Sequence, residues 1–317
     1  MRVGERAVVR PLVEDDLVEA DRVFRMAFGT FLGAREPQDL FANVDFVSTR
    51  WRANPSAAFA AEVDGRIVGS IFAANWGSVG FLGPLTVDPE LWDRRIAQQL
   101  LGSTMDLFDG WGTGNVGLFT FSQSPKHIAL YQKFGFWPRF ITSIMTKPVE
   151  APIEREGWST ISDRGSRGLT KAVAEVHALT DAIYPGLDVS IEVTSVAAQG
   201  LGDTILLEDE SGLAGFAVCH IGSGTEAGSG ACYVKVGAVR SGPDAELRFA
   251  RLLDACGVLA AERERTMVVA GVNAGRERAW RVLAEQGYRT SMQGIAMQRP
   301  NEPAYNTRDT FLIDDWR

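Results

Sequence analysis

Landmarks of the first half of this chain return in its second half, so the sequence is an internal duplication. Val87 and Gly135 have counterparts at Val239 and Gly287, each displaced by 152 positions. Further pairs at this displacement are Leu100-Leu101 with Leu252-Leu253, Met145 with Met297, Lys147 with Arg299 and Pro148 with Pro300. Because the pairs occur in the same order, we expect two copies of one fold.

The displacement differs upstream, where Val68-Gly69 matches Ala214-Gly215 at an offset of 146 positions. A Gly/Ser-rich segment, GSGTEAGSG at 222–230, accounts for the difference, and we interpret it as a hairpin loop or a flexible strap. Two prolines and a charge cluster interrupt the hydrophobic pattern at 148–160. We therefore predict two domains, 1–149 and 150–317, each of a size that one hydrophobic core supports.

Hydrophobic periodicity in the first copy predicts both strands and helices. The predicted strands are 7–10, 59–63, 66–75, 81–87, 116–122 and 139–147, and the predicted helices are 13–28, 37–52, 91–109 and 125–134. Asp64-Gly65 between two apolar strands is a strong signal for a two-residue hairpin. Hairpins followed by strand–helix–strand crossovers imply an α+β (mixed α/β) fold, with a mixed, mostly antiparallel sheet flanked by helices in each copy.

The charge balance of the chain disfavours nucleic acid as a partner. The chain has 32 Lys and Arg against 40 Asp and Glu, a net charge of −8, which disfavours nucleic acid and makes an amine-bearing cation more plausible. No apolar run reaches the roughly 20 residues of a membrane span. The N-terminal segment also becomes acidic too early for a signal peptide, so we expect a cytoplasmic protein without a membrane partner.

Neither the cysteines nor the histidines have the spacing of a metal site or a disulfide framework. These residues are Cys219, Cys232, Cys256, His127, His177 and His220. We expect the three thiols to be buried in a reducing compartment, and we expect no metal.

An anion site is predicted where the strand ending at Val87 turns into the next helix. The helix opens near Arg94 and Arg95, and its first backbone amides have no partner within the helix. Unpaired amides beside two arginines suit a pyrophosphate. The alternative interpretation is an amphipathic helix whose arginines are merely solvated.

A second motif, SPKHIALYQKFGFWP, places Leu130-Tyr131 one helical turn before Gly135-Phe136, with the glycine positioned to end the helix. Taken together, the two stretches resemble the GNAT superfamily of acyl-CoA-dependent N-acyltransferases. Its phosphate-binding pattern is Arg/Gln-x-x-Gly-x-Gly/Ala, and its second pattern is Asn-x-x-Ala-x-x-Leu-Tyr-x-x-x-Gly-Phe. The resemblance covers the first half of the chain and, more weakly, the second half.

This resemblance implies the site residues and the chemistry. Main-chain groups of Leu85, Thr86 and Val87 would pair with the pantetheine arm of acetyl-CoA, and Tyr131 would be the general acid that protonates the departing thiolate. The residues expected to hold the remainder of the cofactor are Arg94, Arg95, Ile96, Ala97, Gln98 and Ser124. No residue is identified as the base, and the reaction requires no metal.

The sequence departs from the family at several of these positions. Trp92 replaces the first basic or amide residue of the phosphate pattern, and Arg95 replaces its first glycine. Ser124 and His127 stand where the family prefers Asn and Ala. The second copy departs further, with Asp244 and Glu246 in the phosphate segment and Leu283 in the position of Tyr131. We expect it to be non-catalytic, because carboxylates repel a pyrophosphate.

The expected function is transfer of acetyl from acetyl-CoA to a primary amine of a small molecule. One alternative is a non-catalytic acyl-CoA-binding or regulatory module, which thioester turnover would distinguish. Another is an aminoacyl-tRNA-dependent transferase, since some such enzymes duplicate this fold, but the acidic net charge disfavours it. The oligomeric state is not indicated by the sequence.

Two further patterns have simpler explanations. The segment 112–117 satisfies GxGxxG but follows a helix and enters a strand, the reverse of a dinucleotide-binding motif, so we expect a turn. Trp76, Trp92 and Trp111 could line an aromatic acceptor pocket, but core or interface packing is the preferred interpretation.

Overall fold

A computed structural model describes residues 7–41, 43–149, 155 and 157–317. The first copy contains β1 (Val8–Pro11), α1 (Leu17–Leu32), α2 (Val47–Ala53), β2 (Ala58–Val63), β3 (Arg66–Trp76), β4 (Val79–Val87), α3 (Ile96–Trp111), β5 (Asn115–Thr120), α4 (Pro125–Gln132) and β6 (Trp137–Pro148). The second copy contains β7 (Trp158–Thr160), α5 (Ile161–Ile183), α6 (Ser190–Gln199), β8 (Gly202–Asp209), β9 (Gly212–Gly222), β10 (Gly228–Val239), α7 (Ala245–Glu262), β11 (Met267–Asn273), α8 (Glu277–Glu285), β12 (Arg289–Arg299) and β13 (Leu312–Ile313).

The predicted order of elements in the first copy is confirmed, and the main differences lie at helix boundaries. Helix α1, predicted over 13–28, spans Leu17–Leu32. The helix predicted over 37–52 is a single 3₁₀ turn, Pro37–Asp39, followed by the shorter α2. Helix α3 begins at Ile96 instead of 91, because Asp93 and Arg95 have φ values of 65°, which a right-handed helix excludes. The hairpin at Asp64-Gly65 is confirmed, with φ values of 49° and 76°.

The register of the sheet confirms the duplication residue by residue. Val79 lies opposite Asn115 in the parallel pair of β4 and β5, and Ala231 lies opposite Met267 in the parallel pair of β10 and β11. Both partners are therefore displaced by the 152 positions found in the sequence. The change of offset lies between β9 and β10, where the inserted segment 222–230 is located.

The two copies exchange their last strands. In the sheet order β1-β2-β3-β4-β5-β12-β6-β11-β10-β9-β8-β7, strand β12 pairs with β5 of the first copy and β6 pairs with β11 of the second. Leu118 faces Met297 in one pair, and Ala270 faces Met145 in the other. The two exchanged pairs are therefore equivalent, and they join both copies in one continuous sheet.

The inserted segment is a hairpin loop that contacts the first copy. The Thr225 carbonyl accepts a hydrogen bond from the Asp45 amide at 3.0 Å, and the Gly224 amide donates to the Asn43 carbonyl at 3.1 Å. It is thus not a free strap.

Helices cover both faces of the first half of the sheet. Val68 and Ile71 of β3 belong to the core under α3, whereas Ile67 and Phe72 belong to the core under α1. In the described part of the chain, no helix is long and apolar enough to cross a bilayer. The three cysteines are free and buried, as predicted.

Candidate active site

A cleft opens where β4 and β5 separate. The two strands pair only from Val79–Leu82 against Asn115–Leu118 within the described sheet. Beyond Leu82, β4 continues to Val87 with β3 as its neighbour on one side, so the main-chain groups of 83–87 have no strand partner on the β5 side. A cavity of about 510 Å³ lies in this opening.

Nearly all of the predicted site residues line this cavity. They are Leu85, Thr86, Val87, Arg95, Ile96, Ala97, Gln98, Ser124 and Tyr131. Arg94 is the exception, since it is exposed and outside the cavity wall. The segment from β4, the start of α3 and helix α4 thus meet around one space.

The start of α3 presents unpaired amides to the cavity. Among the residues that the structure describes, none accepts a hydrogen bond from the amides of Ile96 or Ala97, while those of Gln98 and Gln99 both donate to the Arg95 carbonyl at 3.2 and 3.3 Å. Free amides at the positive end of a helix favour an anion.

Arg95 has the left-handed backbone that favours glycine, with φ 65° and ψ 14°. This is the position at which the family pattern carries its first glycine. The chain therefore keeps the backbone geometry of the pattern and adds an exposed guanidinium at the mouth of the cavity.

Helix α4 positions Tyr131 in the cavity wall. The Ser124 hydroxyl accepts a hydrogen bond from the His127 amide at 3.4 Å and caps the start of the helix. Gly135, with φ 83°, follows its end as predicted. Tyr131 is 8% exposed, and burial raises the pKa of its phenol, so the hydroxyl keeps its proton at neutral pH.

Seven phenylalanines line the cavity, one of which is Phe119. The other six, which we call the aromatic chamber, are Phe24, Phe28, Phe31, Phe41, Phe46 and Phe121. They were not predicted as site residues from the sequence, although the spacing of the three on α1 places them on one helix face. From the second copy, Met292, Trp316 and Arg317 also reach the cavity.

The three tryptophans have different roles. Trp76 is buried and donates from Nε1 to Glu192 of α6, and Trp111 packs edge-to-face on Phe108, so both are packing residues as expected. Trp92 lines the cavity instead, with its Nε1 donating to the Val87 carbonyl at 2.8 Å. Within the segment 112–117, residues 112–114 form the expected turn after α3, and β5 begins at Asn115.

Charge at the cavity is mainly positive. Asp93 is the only acidic side chain among the described lining residues, and it forms a 2.7 Å ion pair with Lys126. Burial, and secondarily the charge of Lys126, lower the pKa of His127, which keeps its imidazole neutral at pH 7. Among the described residues, no group of three or more His, Cys, Asp or Glu side chains could hold a metal ion.

The equivalent cleft of the second copy is filled by the chain itself. Strands β10 and β11 pair through Val234 and Ala270, and β13 then pairs with β10 at Gly237 and Ala238. Buried Arg276 anchors this segment by donating to the Leu312 carbonyl at 2.7 Å and to Asp314 at 2.9 Å.

Other residues of the second copy also differ from their first-copy counterparts. Asp244 and Glu246 flank the first residue of α7, and Leu283 is buried in the core.

Comparison with known proteins agrees with this geometry. The model of the acetyltransferase (GNAT) family matches residues 20–136, which include the cleft, the start of α3 and Tyr131. Residues 20–136 are a GNAT acetyltransferase domain, and acetyl transfer is the activity for which this family is named. No curated protein sequence matches the chain significantly.

Solved structures resemble the chain over its whole length. A putative acetyltransferase from Pyrococcus horikoshii has a TM-score of 0.67 at 13% identity, over 98% of this chain and 95% of that one. A GCN5-related N-acetyltransferase from Sphaerobacter thermophilus has a TM-score of 0.60 at 14% identity, over 93% and 96%. A tandem GNAT protein from the clavulanic acid biosynthesis pathway has a TM-score of 0.56 at 15% identity, over 92% and 98%. These likenesses establish a tandem GNAT fold.

Proposed function

We propose that the protein transfers acetyl from acetyl-CoA to a primary amine of a small molecule, and that the first copy performs the reaction. The observation that carries this proposal is the cleft between β4 and β5. Its walls bring together the open strand segment 83–87, the free amides at the start of α3 and the phenol of Tyr131.

The residues around the cleft fit the parts of acetyl-CoA. Main-chain groups of 85–87 can pair with the amides of the pantetheine arm, as a neighbouring strand would. The amides of Ile96 and Ala97, with the guanidinium of Arg95 directly before them in the chain, provide donors and positive charge for a pyrophosphate. When bound, acetyl-CoA supplies an acetyl group activated as a thioester.

The reaction requires one proton donor, and we propose Tyr131, whose side chain lines the cavity, for this role. A neutral amine attacks the thioester carbonyl, the carbon–sulfur bond breaks, and the phenol protonates the departing thiolate. The nitrogen loses one proton to water as the amide forms, and water returns a proton to the phenolate. Burial raises the pKa of Tyr131, so the phenol carries its proton when the reaction begins.

The second copy is proposed to be non-catalytic. Its cleft is filled by β13, carboxylates stand at the start of α7, and a leucine replaces the tyrosine. Its contribution is structural, since β12 completes the sheet beside β5 and residues of its C-terminal segment reach the first-copy cavity.

A turnover assay tests the proposal. The protein is incubated with acetyl-CoA and a panel of primary amines, while free thiol and the mass of the acetylated product are followed. We expect release of one thiol for each acetylated amine. Binding of acetyl-CoA without turnover of any amine would instead support a non-catalytic binding module, and failure to bind acetyl-CoA would exclude the cleft as a cofactor site.

A further inference from the structure

We infer that the acceptor is a monoamine with an aromatic body, and that this body lies in the aromatic chamber. This inference rests on the proposed function, because it assigns a substrate class to the same site. It also explains why one wall of a transferase cavity is built from phenylalanines instead of polar groups.

The six rings of the chamber form a continuous apolar surface. Phe31 lies 5.0 Å from Phe121, and Phe121 lies 6.2 Å from Phe28. Phe28 lies 4.9 Å from Phe24, which connects the helix α1 rings to those beyond it. Such tilted and edge-to-face contacts leave ring faces and edges available to a further aromatic ring.

The phenylalanines of the chamber pack on one another, and most of them also expose part of the ring. Phe24 is buried in the core. In contrast, Phe28, Phe31 and Phe46 are half-buried and Phe41 is 37% exposed. All of them line the cavity. Apolar ring surface that faces a cavity gains free energy when an apolar ligand removes it from water.

The charges around the cavity exclude a polycation. Asp93 is the only acidic side chain among the described lining residues, and Lys126 already neutralises it at 2.7 Å. A polyamine or an aminoglycoside carries several ammonium groups and would find no free carboxylate partners here. A single ammonium can instead lie against the face of an aromatic ring before it loses its proton.

The same cavity connects the chamber to the reacting end. Tyr131 and the chamber both line it, and the ring of His127, one helical turn before Tyr131 on α4, lies 4.8 Å from the Phe31 ring. A molecule with its ring in the chamber can therefore direct an amine on a short arm toward the thioester beside Tyr131.

Binding of amines to the complex with CoA provides a test that does not depend on turnover. We compare 2-phenylethylamine, its cyclohexyl analogue and spermidine by calorimetric titration into the CoA-loaded protein. We expect 2-phenylethylamine to bind at least tenfold more tightly than either comparison amine. Equal or tighter binding of spermidine would overturn the inference. If 2-phenylethylamine binds but no amine is acetylated, the proposed function fails while the assigned ligand class stands.

Substitutions in the aromatic chamber test whether 2-phenylethylamine binds there. Phe28→Leu keeps an apolar side chain but removes the ring, and we expect it to weaken 2-phenylethylamine binding about tenfold with unchanged affinity for CoA. Phe140→Leu, at a half-buried phenylalanine outside the cavity, is the matched control and should change neither. If Phe28→Leu leaves amine binding unchanged but alters the preference between acetyl-CoA and benzoyl-CoA, the chamber holds the acyl group and the inference is wrong.

Discussion

At the scale of single residues, the proposed reaction depends most on the hydroxyl of Tyr131. Replacing Tyr131 with Phe keeps the ring against Phe136 and removes the proton donor. We expect kcat to fall by ~10²–10⁴, with little change in the dissociation constant of acetyl-CoA. Steady-state kinetics and calorimetry measure the two effects separately.

A matched control for this variant is available in the second copy. Tyr184→Phe changes a half-buried tyrosine outside the cavity and should leave kcat unaltered. If Tyr131→Phe also keeps the kcat of the unmodified protein, Tyr131 has no role as the acid.

A second prediction at the scale of residues concerns the stability of Arg95→Gly. Glycine relieves the strain of the left-handed backbone but increases the entropy of the unfolded chain, so the two effects on the free energy of unfolding oppose each other. A left-handed backbone costs a non-glycine residue about 1–2 kcal/mol, whereas glycine lowers stability by about 0.5–1 kcal/mol through chain entropy. The free energy of unfolding of Arg95→Gly should therefore stay within about 1 kcal/mol of the original value.

The affinity of Arg95→Gly for CoA should change much more. Loss of a charge-assisted contact worth about 1.5–3 kcal/mol weakens CoA binding by about one to two decades. Titrations at several salt concentrations measure this, with the largest loss expected at low salt. Tighter CoA binding by the glycine variant would mean that the arginine obstructs the site.

The motif residues could be placed from sequence, but the aromatic chamber could not. Arg95 and Tyr131 belong to short patterns whose geometry is local, a helix start and a helix face. Phe24, Phe28 and Phe31 also show a helix face, yet such a face can pack entirely on the core. Phe24 is buried and Phe31 is half-buried, a difference that depends on the tertiary contacts of each side chain and that the spacing on α1 does not indicate.

At the scale of elements, local sequence signals predicted the order of strands and helices. They did not predict which strands pair with each other in the sheet. The hairpin at Asp64-Gly65 follows from two residues with positive φ. Strand β6, by contrast, has the same sequence whether it pairs with β5 or with β11. The exchange of β6 and β12 depends on tertiary packing between the copies. Hydrophobic periodicity along one strand does not indicate such packing.

The exchanged strands lead to a prediction about the isolated first copy. Residues 1–149 alone would lack β12, so β5 would have an unpaired edge and β6 would lose β11. We expect this fragment to aggregate or to bind no acetyl-CoA, and co-expression with 150–317 to restore binding. A soluble 1–149 monomer with the acetyl-CoA affinity of the full chain would show that the exchange is dispensable.

At the scale of the whole molecule, a buried charge network connects the inserted loop of the second copy to the cleft of the first. Glu226 accepts two 2.9 Å hydrogen bonds from Arg50 and one of 2.7 Å from Lys235. Arg50 also donates to the Gly83 carbonyl at 2.5 Å, where β4 separates from β5. The second copy thereby contacts an edge of the first-copy cleft through Arg50.

Removing the carboxylate from this network should lower the free energy of unfolding substantially. In Glu226→Gln, Arg50 and Lys235 lose their shared counter-charge while nearly buried, and we expect unfolding to require about 3–5 kcal/mol less. Glu246→Gln, in an exposed pair with Arg278, is the control and should leave the free energy of unfolding nearly unchanged. Urea denaturation measures both, and similar losses would contradict a special role for Glu226.

The pH dependence of the same variant has a defined sign. Burial alone would raise the pKa of Glu226, but the charges of Arg50 and Lys235 outweigh it and lower that pKa. A carboxylate with a lowered pKa stabilises the fold above its unfolded-state value and loses that contribution as the pH falls. Stability should therefore depend less on acid pH in Glu226→Gln than in the original protein.

The central claim is that this duplicated chain carries a single acetyl-CoA site, in the cleft of its first copy. Calorimetric titration of the full chain with acetyl-CoA measures the number of sites directly. We predict one site per chain, lost or weakened in Arg95→Gly and unchanged in number in Tyr131→Phe. Two equivalent sites per chain, or none, would contradict the account.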